Sequence, residues 1–223
     1  MKGYCPRVPF HGGMAVDPDP ASPVREVVLD SPCPMCGGRP LKMRSLGLDL
    51  PYFGDALQTT VLCGACGFRH ADVLLSREGH PTRHTLRVRD PADLSARVVR
   101  SSSCTVRVPE LGAVMEPGPV SEAFVSNAEG VLHRFREILS FLTRNADSDR
   151  KRAAARTSLT TISRMIDGRE PFTLVLEDPF GNSAIFHEAA EVQPLTDAEV
   201  RNLKTGVFAL ELRPRGSRDP ASP

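Results

Sequence analysis

Tryptophan is absent from this chain and tyrosine occurs twice, so the aromatic platform on which single-stranded nucleic acid stacks is thin. An excess of either charge is also missing: 28 Lys and Arg stand against 27 Asp and Glu, a formal +1. Four thiolates on one Zn²⁺ would make the sum weakly negative. Neither balance is the strongly basic signature of binding through many phosphate contacts, which leaves only a local patch to consider. Long apolar runs are lacking too. No stretch approaches the ~20 residues that span a bilayer, and no basic segment followed by an apolar one opens the chain. The expectation is a soluble, cytoplasmic protein with no membrane partner. Cysteine is sparse, at six residues, and four of them fall in two close pairs, which in a reducing compartment points to metal rather than to disulfides.

What is present is ordinary for a globular protein. An apolar share of 40% and a charged share of 25% allow a buried core, and 223 residues suffice for a small metal-stapled module joined to a larger domain. The pairs are Cys33-x-x-Cys36 and Cys63-x-x-Cys66. Four soft ligands make a tetrahedral site for one structural zinc ion, and no position is left for water or substrate. Gly37 and Gly67 follow the second cysteine of each pair and let the chain turn so that N–H groups point at sulfur. Cys5 and Cys104 fall outside the pattern.

Proline and glycine break up residues 1–24, which read as a loose arm, and RPRGSRDPASP at 213–223 reads as a tail. Residues 25–78 form the expected ribbon domain, with a hairpin between the pairs. The expected β domain spans 79–212. After the second cysteine pair, ADVLLS at the end of the ribbon domain is strand-like, and RHTLRVRD, ARVVRSSSCTVRVPEL, FTLVLED, SAIFHE and GVFALELRP follow as further strand-like runs. A helical hairpin interrupts the β domain at about 126–168. Ala128, Val131, Leu132, Phe135, Ile138, Leu139 and Leu142 share one face of the first helix, with Ser126 and Glu129 as a capping box. Leu159, Ile162 and Ile166 line the second helix, and Gly168 stands near its end.

In LEDPFGNSA, Asp178 and Pro179 can start a turn and Gly181 and Asn182 tolerate positive φ, so one reading is a hairpin between core strands. The other is a polar patch of Asp178, Asn182 and Ser183 facing a partner. Glu110 of VPEL is a candidate partner contact or a ligand for N–H groups at a strand end. Ser101, Ser102, Ser103 and Cys104 have no neighbouring histidine to serve as base, so no nucleophile is assigned. His80 and His84 are separated by three residues, but Pro81 opposes the helix that would align them. His70 reads as a surface residue or as support for the metal ligands. The run Arg150, Lys151, Arg152 and Arg156 reads as a solvated helix face or a contact with an acidic partner.

CPMC, LCGACGFRHADV, DLSARVVRSSSCTVRVPEL, SNAEGVL and FTLVLEDPFGNS occur in the order found in ZPR-type zinc-finger proteins, which this chain resembles from about Ser31 to Leu212. The resemblance implies an α+β, mainly β, chain: a four-cysteine zinc ribbon, then a double-stranded β-helix (jelly-roll-like) domain with an inserted helical hairpin. Family members with two such modules bind translation elongation factor 1-alpha and are implicated in its folding. This chain has one module, so the receptor-kinase binding and nuclear traffic described for two-module members are not carried over. The resulting expectation is a non-enzymatic protein-interaction module with no small-molecule substrate and with elongation factor 1-alpha as partner. The alternative is a nucleic-acid-binding ribbon protein using Arg39, Lys42, Arg44, Arg69 and the hairpin's basic run.

Overall fold

A computed structural model describes residues 24–76, 79–118 and 121–206. The expected arm and tail, and GVFALELRP beyond Gly206, lie outside the described residues. Four strands, β1 (Val24–Leu29), β2 (Leu41–Leu50), β3 (Gly54–Cys63) and β4 (Arg69–Leu75), form one antiparallel sheet in chain order. The hairpin expected between the cysteine pairs is β2–β3, in register from Leu41 opposite Cys63 to Leu50 opposite Gly54.

The body follows with β5 (Thr82–Val88), β6 (Arg97–Arg100), β7 (Thr105–Val108), β8 (Ala113–Met115) and β9 (Phe124–Asn127), then helices α1 (Ala128–Arg144) and α2 (Asp149–Ile166). It closes with β10 (Phe172–Asp178), β11 (Ala184–Phe186), β12 (Glu191–Pro194) and α3 (Asp197–Asn202). The strands make two sheets, ordered β12-β5-β10-β7-β8 and β11-β6-β9. One core serves both sheets and the helical hairpin. Leu86, Val106, Phe172 and Leu174 come from the first sheet, Val98 and Ile185 from the second, and Val131, Leu132, Phe135, Ile162 and Met165 from the helices. Each strand alternates because successive side chains leave opposite faces, so only one face in two reaches this core.

Two details differ from the sequence reading. The helix cap is Asn127, whose Oδ1 accepts the Gly130 N–H at 2.9 Å; Ser126 remains in β9 and pairs with Val98. Both residue types cap helices, and strand pairing through Asn127 decides between them. The apolar face of α1 is also only half covered. Its first half is buried, but Ile138 is 43% and Leu142 51% exposed, because the distal half runs past the core.

The DPFGNS segment is not a hairpin. β10 pairs with β5 and β7, whereas β11 pairs with β6 in the other sheet, so the turn carries the chain from one sheet to the next. Gly181 sits there at φ 67°, and a Cβ on it would lie 2.2 Å from the His80 carbonyl oxygen. Only glycine fits that approach.

Candidate metal centre and the buried joint behind it

The two cysteine loops repeat one geometry. The Cys33 N–H donates to Gly38 O at 2.9 Å and the Gly37 N–H to Cys33 O at 2.8 Å; Cys63 N–H donates to Phe68 O at 2.9 Å and Gly67 N–H to Cys63 O at 3.0 Å. Gly37 and Gly67 hold φ of 71° and 74°, the left-handed conformation that closes each loop. Gly38 N–H lies 3.4 Å from Cys36 Sγ and supports the sulfur from behind.

The register of β2 on β3 brings both loops to the same end of the ribbon. Cys33 Sγ stands 3.7 Å from Cys66 Sγ, Cys36 Sγ stands 3.7 Å from Cys63 Sγ, and all four sulfurs lie within 4.8 Å of one another. A zinc tetrahedron with bonds of about 2.3 Å has sulfur–sulfur edges of about 3.8 Å, so the donors already have the right spacing. Main-chain N–H groups of Cys66 and Ala65 lower the Cys63 thiol to about 7. The Phe68 N–H pulls Cys66 the same way, but the adjoining Cys36 and Cys33 sulfurs and burial outweigh it and push that thiol up to about 12. Crowded sulfurs of this kind need a cation to share. Cys33, Cys36, Cys63 and Cys66 thus form a zinc site that four protein ligands fill.

Cys104 is not part of it. It is fully buried in the body's core, and burial raises its thiol. His70 is buried with its ring stacked on Phe68, and His84 Nδ1 accepts the Ile185 N–H at 3.3 Å, so neither joins His80 in a second metal cluster among the described residues.

Behind the ribbon lies a buried polar joint. Asp178 Oδ2 accepts Ser101 Oγ and Ser183 Oγ at 2.6 Å each and the Asn182 N–H at 3.1 Å; Oδ1 accepts Ser103 Oγ at 3.1 Å and the Phe180 N–H at 2.9 Å. The next serine points the other way. Ser102 donates its N–H at 2.9 Å and its hydroxyl at 2.7 Å to Asp72, on ribbon strand β4. The RSSSC stretch therefore ties the sheet-crossing turn to the ribbon. Apolar contacts reinforce the tie: Ala56, Val73 and Leu75 of the ribbon pack with Val99 and Ala184 of the body, and Tyr52 lies against Phe186 with ring centroids 4.8 Å apart.

This placement corrects part of the partner reading. Asp178, Asn182 and Ser183 are 1%, 7% and 0% exposed, and the Asp178 carboxylate and the Ser183 hydroxyl are bonded inside, so the three form no patch on the surface. Glu110 is accessible, with 29% of its side chain exposed, and it takes the role of strand-end ligand. Its carboxylate accepts the Thr173 N–H at 2.9 Å and hydroxyl at 2.8 Å and pairs with Arg87. Burial raises its pKa, but the Thr173 bonds and Arg87 outweigh that and hold it low. Sequence reasoning missed Asp72. The available signal was phase, since ADVLL sets Asp72 on the same strand face as buried Leu74.

The basic candidates are largely paired. Lys42 and Arg44 converge on Glu26 at 2.8 Å each, Arg39 meets Asp30 at 2.7 Å, Lys151 meets Asp147 at 2.8 Å, and Arg152 meets Asp149 at 2.5 Å.

Comparison with known proteins agrees with this architecture. Residues 92–203 match the model of the ZPR1 jelly-roll domain. A ZPR1-like protein of Methanocaldococcus jannaschii is 41% identical over 181 residues, covering 81% of this chain and 91% of that protein. A ZPR1-like protein of Pyrococcus horikoshii is 39% identical over 189 residues, covering 83% and 84%. The zinc finger chaperone zpr1 of Schizosaccharomyces pombe is 29% identical over 180 residues, which are 78% of this chain but 38% of that longer protein. With its four-cysteine ribbon, its jelly-roll body and these relatives, the chain belongs to the ZPR1 family.

Proposed function

We propose that this chain is a non-enzymatic, cytoplasmic, zinc-stabilised binding module that engages translation elongation factor 1-alpha and assists its folding or regulates its state. One observation carries the protein-binding part. Beyond the core, α1 leaves Ile138, Phe141 and Leu142 43%, 59% and 51% exposed, at the i, i+3 and i+4 spacing of a single helix face. Contiguous large apolar side chains on a helix face are a docking surface for another protein. The name of the fission-yeast relative, a zinc finger chaperone, points to the same class of activity. A site filled by four thiolates suits a structural metal and a reducing compartment.

The nucleic-acid alternative is weaker, because the ribbon's Arg39, Lys42 and Arg44 already face carboxylates. It predicts RNA or DNA affinity that falls steeply with salt. The test of the main reading mixes zinc-loaded protein with recombinant elongation factor 1-alpha, with and without GTP, and scores complex formation and folded yield. Phe141→Asp, on an exposed position, is expected to lose the complex without lowering the melting temperature. Absence of both complex and folding gain would remove this partner.

A further inference from the structure

Between β8, β9 and the middle of α1 lies an open cleft of about 310 Å³. Its most buried lining residue is Arg100, 2% exposed, and Met115, Phe124, Ile138 and Arg134 line it as well. Arg100 Nε and Nη2 donate to Cys104 O at 3.2 and 2.9 Å, and Nη1 donates to Glu122 O at 3.0 Å. A guanidinium has five N–H donors, so two find no acceptor among the described residues. Both acceptors are carbonyls, and among the described residues no carboxylate forms an ion pair with this buried charge. Burial lowers its pKa even though the buried carboxylates of Asp72 and Asp178 lie near enough to favour the charged form, and the neighbouring Arg134 adds to the lowering. Buried arginines are ordinarily paired.

A second cation stands beside it. The Arg134 guanidinium lies 4.1 Å from the Phe124 ring centroid, and Arg100 lies 5.8 Å from the same centroid. Arg134 likewise has no ion pair among the described residues. Arg134 disfavours the charged form of Arg100, and an anion bound by both would offset that repulsion.

We propose that this cleft binds a carboxylate carried on an apolar peptide segment, with Arg100 and Arg134 holding the anion and Phe124, Met115 and Ile138 taking the neighbouring side chain. Two features choose a peptide over a phosphate or nucleic acid. Exposed Glu122 and Glu137 stand at the rim, where they repel a polyanion but tolerate a single negative charge set deep. The apolar wall also continues along α1 from Ile138 to Phe141 and Leu142, which suits a segment longer than one residue. Over residues 128–166 the hairpin carries eight Lys and Arg against four Asp and Glu, so an acidic segment is drawn to this side of the molecule. The site rests on the protein-binding reading but on no particular partner.

The test titrates ¹⁵N-labelled, zinc-loaded full chain with Ac-Leu-Glu-Phe-NH₂, its neutral Gln counterpart, Ac-Leu-Gln-Phe-OH and inorganic phosphate, following the amides of residues 121–124 and the Arg100 and Arg134 Nε–H signals. At least one carboxylate peptide is expected to bind about ten-fold tighter than the neutral peptide, the side-chain and terminal forms being separated by the first and third probes. Arg134→Gln, at an exposed position, is expected to abolish that preference at unchanged melting temperature. Equal binding of charged and neutral peptides, tighter binding of phosphate, or a preference that survives Arg134→Gln would overturn the proposal. Each of these readouts is independent of whether elongation factor 1-alpha binds.

Discussion

Exchanging each buried carboxylate of the joint for its amide should give two different results, although the chemical change is the same. Asp72 uses Oδ1 for two main-chain donors, Val73 N–H at 2.8 Å and Ser102 N–H at 2.9 Å, and Oδ2 only for the Ser102 hydroxyl. Asparagine keeps its carbonyl oxygen in the first position and places its NH₂ in the second, where a hydroxyl can turn and accept. Burial also raises the Asp72 carboxyl above the usual carboxylate range, so the amide removes a charge that the interior disfavours. Asp72→Asn is expected to change the unfolding free energy by less than about 1 kcal/mol. Because the folded pKa is raised, the wild-type carboxyl contributes most below its unfolded value of about 3.9 and loses that contribution as pH rises through the folded value. The variant should therefore gain on wild type with rising pH.

Asp178 has no such freedom. Oδ1 accepts the Phe180 N–H and Oδ2 the Asn182 N–H, and neither main-chain donor can turn. Either placement of an amide nitrogen sets two donors face to face. One orphaned N–H costs about 1–3 kcal/mol, and weakening the three charge-assisted serine bonds brings Asp178→Asn to a loss of about 2–4 kcal/mol. Urea unfolding in excess zinc, read by circular dichroism, measures both variants. Equal losses, or a larger loss for Asp72→Asn, would refute the donor–acceptor reasoning.

Cys33→Ser should drop zinc content from one ion per chain to well under half, whereas Cys104→Ser keeps it; elemental analysis after dialysis decides. Gly181→Ala should destabilise by about 2–4 kcal/mol, since the added Cβ meets the His80 carbonyl and φ is left-handed; a loss below 1 kcal/mol by the same urea assay would count against that contact. Glu199 is held at about 2 by the Thr196 N–H, the Thr196 hydroxyl and Arg83. A depressed folded pKa contributes stability above the unfolded value of about 4.3 and loses it as pH falls toward the folded one. Melting curves of Glu199→Gln should accordingly be flatter than wild type across that acid window.

The zinc ligands and the helices were legible in the sequence because both signals are local: two C-x-x-C pairs, and apolar residues at helical spacing. The sheet-crossing turn was not, since Asp, Pro, Gly and Asn serve a hairpin and a corner equally well and only long-range pairing distinguishes them. Asp72 and Arg100 look like solvated charges in strands that alternate. Their burial depends on Ser102 and Cys104, reached only through the fold. The bare distal half of α1 was equally hidden, because periodicity marks an apolar face without saying how far the core extends beneath it.

The long β2–β3 pair sets the metal apart from the body. Its Leu50–Ala56 end packs on the jelly roll, while the cysteines sit at the other end. The contacts with the body continue along β4 as far as Asp72, opposite Thr59, and Ala71, opposite Thr60, whose carbonyl accepts the Ala123 N–H at 3.3 Å; from Thr60 three steps of β3 lead to Cys63, about 10 Å at strand rise. The ribbon is thus a cantilever, clamped at its root by Asp72 and the aromatic contacts and stiffened at its tip by the ion. Losing the ion should soften the tip first and leave the clamp in place, so zinc occupancy and body stability are separable. A partner's need for a rigid tip can then be measured without unfolding the domain that carries it.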